Sequence, residues 1–134
     1  WEINDPVDAI IYPPIDDDMQ AYECGSWLIR DNEVVIGEWD HWVGTLEQYA
    51  PRTGVGILED GSVVFVTVDG RLPGYSIGMT GKEFGAYMKQ LGAVDAAMLD
   101  GGASTELIIN HEIVNKPSAG QERLVASGFM IFIK

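Results

Sequence analysis

Two β-branched runs that meet at Asp60-Gly61 constrain this chain more than any other feature. Residues 53–59 and 62–68 are rich in Val, Ile and Thr, side chains that suit a pleated strand. Asp-Gly between such runs is a hairpin signal, because a two-residue turn needs left-handed dihedrals that these residues tolerate. A hairpin here commits the chain to an antiparallel pair, and the other elements must extend it or cover it. The covering element is also readable. Thr80-Gly81-Lys82-Glu83 has the form of a capping box and predicts a helix over about 80–91. Phe84, Tyr87, Met88 and Leu91 then fall at i, i+3, i+4 and i+7, one apolar face, and Gly92 supplies a left-handed stop.

Around this pair the chain reads as strand-rich. Residues 26–30 and 33–36 make two short strands about Asp31-Asn32, and 96–99 is a short buried strand that delivers Asp100 to its carboxyl end. Residues 105–110 and 113–115 form strands about a turn at His111, and 124–133 a final long strand. Residues 38–49 carry Trp39, Trp42, Leu46 and Tyr49 and read either as a short helix or as a covering loop. Consecutive hairpins with one well-defined helix predict an α+β class with a mixed, largely antiparallel sheet. Residues 26–134 are expected to form one domain, preceded by an acidic, proline-punctuated irregular segment, 1–25.

Composition then limits what such a domain can do. The 134 residues are 46% apolar with mean hydropathy +0.03, and no apolar run approaches the roughly 18 residues a membrane helix needs. Net charge is −13, with residues 1–50 setting 12 acidic side chains against Arg30 alone. Without a basic stripe, nucleic acid is not an expected partner, and without a long apolar run neither is a membrane. Cys24 is the single cysteine, so neither an intrachain disulfide nor a multi-cysteine metal site is possible. Asp16, Asp17 and Asp18 lack the spacing of a calcium loop, and no metal or cofactor is expected. His41 and His111 lie in no recognisable nucleophile motif. The chain begins at Trp1 with no basic-then-apolar leader, as expected of a fragment, a processed product or an excised domain.

Four polar segments interrupt apolar strands at their ends, where a rigid sheet presents side chains and glycine lets backbone approach a ligand. They are 51–54, 69–71, 100–104 and 115–118 with 122–123. In the third, Gly101 and Gly102 allow a nest of N–H groups for an anion, Ser104 adds a hydroxyl donor, and Asp100 has the position of a base or nucleophile. Arg52, Arg71 and Arg123 lie in these segments, and guanidinium forks bind phosphate oxygens in a bidentate way.

In this order and spacing, the segments resemble the phosphodiester glycosidase family. The matching residues are Arg52-Thr53, Val68-Asp69-Gly70-Arg71, Gly78-Met79-Thr80, Leu91-Gly92-Ala93, Leu99-Asp100-Gly101-Gly102 with Ser104, Val114-Asn115 with Pro117-Ser118, and Glu122-Arg123. The resemblance spans about 26–134. It departs at Ala103, where the family usually has glycine, and in lacking an upstream Asn-Gly and aromatic motif. It implies hydrolysis of a glycosyl-1-phosphodiester with a carbohydrate phosphodiester as substrate. Arg52, Arg71 and Arg123 would clamp the phosphate, helped by Ser104 and the amides of Gly101 and Gly102. Asp100 would be nucleophile or base, Asp69 the second carboxylate or orienting residue, and Asn115 a sugar contact. An extracellular or virion setting and further domains of a larger parent chain are also expected. The alternative from another class is a non-catalytic glycan- or teichoic-acid-binding module. A metal-dependent phosphodiesterase would require more clustered His and Asp ligands.

Overall fold

The computed structural model describes residues 25–41 and 43–132; the expectations for Asp16–Asp18, Cys24 and Trp42 fall outside them. Among the described residues, eleven short elements follow one another. They are β1 (Trp27–Arg30), β2 (Glu33–Val34), β3 (Trp39–Asp40), β4 (Gly44–Thr45), β5 (Arg52–Leu58), β6 (Val63–Val68), α1 (Gly81–Gln90), β7 (Ala93–Met98), a 3-10 turn (Gly102–Ser104), β8 (Ile108–Ile109) and β9 (Glu112–Ile113).

Five strands form one sheet in the order β2-β1-β7-β5-β6, and every neighbouring pair is antiparallel. The class is α+β. The Asp60-Gly61 hairpin holds register from Arg52 opposite Val68 to Ile57 opposite Val63. Asp31 and Asn32, at φ 48° and 67°, turn β1 into β2, and Asn110 and His111, at 52° and 67°, turn β8 into β9. Asn and Asp tolerate that region best among non-glycine residues.

Helix α1 starts at the expected box. Thr80 accepts from the Glu83 amide, and the Glu83 carboxylate accepts from the Thr80 amide at 2.8 Å. Gly92 ends it at φ 91°. The buried stripe is Gly81, Phe84, Gly85 and Met88, whereas Tyr87 and Leu91 stay exposed. The buried face is shifted from the one the periodicity predicts, because Gly81 and Gly85 beside Phe84 and Met88 let the helix sit close against Leu46, Ile36 and Val34. Phe84 and Met88 pack with Leu28, Ile29, Ile36, Leu46, Ala93, Ala96 and Met98. Gly54 in β5 is the seat for Phe84: a Cβ there would stand 2.8 Å from the Phe84 ring.

One open reading is resolved and two expectations are corrected. Residues 38–49 are the covering loop of the two readings, pinned by the β3–β4 hairpin, with Leu46 buried and Trp39 and Tyr49 exposed. The strands about His111 shrink to two residues each, because Asn115 takes the Leu107 amide and the Thr105 carbonyl that a longer ladder needs. Residues 124–132 form no strand. Apolar composition is necessary for a strand, but a ladder partner is what makes one. Within this segment the Phe129 ring meets that of Phe65, centroids 5.0 Å apart.

Alternating strand direction fixes where the polar segments fall. Trp27 lies opposite Ala97, Gly54 opposite Met98, and Arg52 opposite Val68. The carboxyl ends of β6 and β7 and the amino ends of β1 and β5 therefore share one rim of the sheet.

Candidate functional site

That rim brings together Pro51-Arg52, Asp69-Gly70-Arg71 and the turn after Asp100. The turn folds back onto β5: the Gly102 amide donates to the Pro51 carbonyl at 2.9 Å, and the Leu99 amide to the Thr53 carbonyl at 2.8 Å. Beneath it, the Thr53 hydroxyl meets the hydroxyl of buried Thr105 at 3.1 Å. Asp100 is carried out to solvent, exposed and without a hydrogen bond among the described residues. Of the two expected nest amides, that of Gly102 is spent inside the fold; the Ser104 amide likewise donates to the Gly101 carbonyl at 3.0 Å.

Asp69 is differently placed. Its carboxylate accepts from the Asn115 carboxamide (3.0 Å), the Lys116 amide (3.0 and 3.1 Å) and the Tyr75 hydroxyl (3.2 Å). Asn115 also donates to the Thr105 carbonyl at 3.0 Å and accepts from the Leu107 amide at 2.8 Å. One carboxylate and one carboxamide thus join segment 69–76 to segment 105–116. The Tyr75 phenol is pushed up from its ordinary value by the hydrogen bond to Asp69 first, then by burial and the Asp69 charge.

The arginines also separate. Arg52 is 6% exposed. Its Nε donates to the Met79 carbonyl at 2.9 Å, and its Nη2 to the carbonyls of Gln48 (2.9 Å) and Leu46 (3.4 Å). Burial, then the nearby Arg71 charge, lowers its pKa; a guanidinium nonetheless stays protonated in a protein. Arg71 has the left-handed backbone of φ 57°, a conformation that costs a bulky residue about 1–3 kcal/mol and is often found at functional sites. Its guanidinium lies over Gly102, where a Cβ would come within 3.2 Å of Nη1, and Gly102 itself is at φ 61°. Only glycine allows both the turn and that approach. Arg123 is exposed; its amide donates to Glu106 at 2.9 Å. Neither the Arg71 nor the Arg123 guanidinium is ion-paired among the described residues, where the salt bridge is Lys82–Glu38 at 2.6 Å.

Sequence reasoning did not single out Tyr75 or Lys116. Lys116 adjoins Asn115 in a segment already marked, a usable signal. Tyr75 lies in an unremarkable Pro-Gly loop and had none. Buried Asp40, which accepts from the Ser26 hydroxyl and from the Val43 amide at 3.1 Å, also lies beside this rim and ties β3–β4 to the start of β1. No group of three or more His, Cys, Asp and Glu among the described residues is placed to hold a metal ion. Among them, too, no helix is long and apolar enough to cross a membrane.

Residues 4–132 match the sequence profile described as phosphodiester glycosidase. The chain is 31% identical over 111 residues to the uncharacterized, SPbeta prophage-derived protein YomE of Bacillus subtilis strain 168, covering 83% of this chain and 17% of that one. Among solved structures it is similar to the catalytic domain of zebrafish N-acetylglucosamine-1-phosphodiester alpha-N-acetylglucosaminidase, auto-inhibited by its pro-peptide. There the TM-score is 0.60, identity 25%, and coverage 69% of this chain and 33% of that one. A hypothetical protein from Synechocystis matches with TM-score 0.61 at 26% identity, covering 75% and 19%. The chain therefore spans well under two thirds of each of these relatives.

Proposed function

Because the chain belongs to the phosphodiester glycosidase family, we propose that it hydrolyses a glycosyl-1-phosphodiester and releases the free sugar. The observation that carries this reading is the rim itself. Asp100 leads into the glycine turn over which the Arg71 guanidinium is held, and neither side chain is ion-paired among the described residues. A phosphate monoester leaves as a stable anion, so the reaction depends less on a strong general acid than on charge stabilisation as the C1–O bond breaks. Arg71 supplies that charge at the phosphate, with Arg123 as its exposed companion and Ser104 as a hydroxyl donor. Arg52 adds positive potential from behind and holds the start of β5 through its three carbonyl contacts. Asp100 faces the oxocarbenium-like carbon as nucleophile or base. Asp69, saturated with donors, orients the surrounding loops, and Asn115 orients Asp69. The substrate is met outside the cell or on a virion, a setting supported by the prophage origin of the Bacillus relative.

One observation favours a second reading, a non-catalytic glycan- or teichoic-acid-binding module: Asp100 lacks any hydrogen bond to orient it among the described residues. Hydrolysis of a panel of sugar-1-phosphodiesters, with Asp100→Asn in parallel, separates the two. The enzyme reading expects free sugar from the wild-type chain and a loss of at least about a thousandfold in the variant, with the thermal midpoint retained. Binding without sugar release in either protein selects the module.

A further inference from the structure

The proposed site needs one anionic group, yet the rim holds more uncommitted positive charge than one phosphodiester uses. The chain has 21 carboxylates and 8 Lys and Arg side chains, so a cation without an acidic partner is the unusual case. Elsewhere cations are engaged: Lys82 pairs with Glu38, Lys89 donates to Asn32, and Arg30 stacks on Trp27. At the rim, Arg71 is joined by a second cation. The Lys116 ammonium stands 3.7 Å from the centre of the Tyr75 ring and is ion-paired with no described residue.

Its position is built. The Lys116 amide donates to both Asp69 oxygens, and the Tyr75 hydroxyl donates to the same carboxylate. Lysine and ring are thus fixed to one anchor two residues before Arg71. The ring is 57% exposed, so it holds the ammonium at the surface without burying it. A cation over an aromatic face keeps its charge and its remaining N–H donors for a ligand. Held this way, it loses less side-chain freedom on binding than a free lysine does.

We infer that Lys116, seated on Tyr75, is a specificity-determining contact for a second negative charge on the leaving side of the substrate. The preferred substrate class is then a sugar-1-phosphodiester whose aglycone is itself anionic, such as a phosphorylated alcohol. This rests on the glycosidase reading for its chemistry, but recognition is measurable without turnover.

The test compares two probes, the methyl phosphodiester of N-acetylglucosamine-1-phosphate and the same sugar phosphodiester of a glycerol that carries a second phosphate. Affinities are measured calorimetrically at fixed ionic strength in the Asp100→Asn background, and release of free sugar separately in the wild-type chain. The expected preference for the doubly phosphorylated probe is about fivefold, the upper range for one exposed charge pair. It should fall to near unity in Lys116→Met and in Tyr75→Ala, return in Lys116→Arg, and persist in Lys89→Met, a control at the opposite end of the sheet beside Asn32. Equal binding of the two probes, binding of neither, or a preference that survives Lys116→Met overturns the inference. A Lys116-dependent preference with no sugar released by the wild-type chain keeps this contact and sinks the glycosidase reading instead.

Discussion

Asp69 and Asp100 stand on one rim, but only Asp69 is saturated with donors. Removing its carboxylate strands the Asn115 carboxamide, the Lys116 amide and the Tyr75 hydroxyl together. Asp69→Ala should therefore cost about 1–3 kcal/mol in urea unfolding. Asn115→Ala should cost a similar amount, and the double variant should cost clearly less than their sum, because the two residues share one network. Full additivity would mean that the pair does not act as a unit. The arginines make a matching contrast. Arg52→Met empties a buried guanidinium's place among three carbonyls and should lower stability by about 2–4 kcal/mol. Arg71→Met relieves like-charge repulsion and breaks no internal bond, so its unfolding midpoint should hold while its affinity for a phosphodiester falls. Residue types at the rim were legible as a set, because glycine, acid and arginine at strand ends mark a ligand site whatever the fold. Their division of labour was not legible. Whether an arginine points into a loop of carbonyls or over a glycine depends on side-chain directions and on a left-handed Arg71, neither of which is written in local spacing.

At the scale of elements, hairpins and caps were legible because their determinants are adjacent in the chain. Asp60-Gly61, Asp31-Asn32 and the Thr80–Glu83 box each act within four residues. The two-residue length of β8 and β9 was not, since it depends on Asn115 reaching back to Leu107. Nor was the missing ladder at 124–132, since a strand exists only with a partner and apolar residues cannot name one. Two measurements address these elements. Gly54→Ala would drive a methyl to 2.8 Å from the Phe84 ring and 3.2 Å from the Ala97 carbonyl, an overpacking that should cost about 1–3 kcal/mol in thermal unfolding. In the capping box, the Thr80 amide and hydroxyl hold the Glu83 carboxyl below its ordinary value of 4.5. A depressed acid stabilises the fold fully above that value and loses its contribution as pH falls through the folded pKa. The wild-type chain should accordingly lose stability over Glu83→Gln in a window below pH 4.5 and keep its advantage above it. An advantage that is constant through this window would detach the cap from the titration.

For the whole molecule, the charge of −13 sets a far field that repels the anion the rim attracts. The two act over different distances, since screening removes the far field first and leaves close contacts until higher ionic strength. Association with a phosphodiester should therefore accelerate as salt rises from about 10 to about 100 mM, while dissociation accelerates as well. Stopped-flow binding would show both, and an association rate that falls from the lowest salt upward would mean that local cations dominate at every distance. The knot at Asp69 has a kinetic meaning on this scale. Because Tyr75, Lys116 and Asn115 are fastened to one carboxylate, segments 69–76 and 115–116 are joined as a single door leaf. A ligand cannot lift one loop alone: either the leaf stays shut and the site behaves as a fixed mould, or all its fastenings release at once and exchange slows to the pace of that rare event.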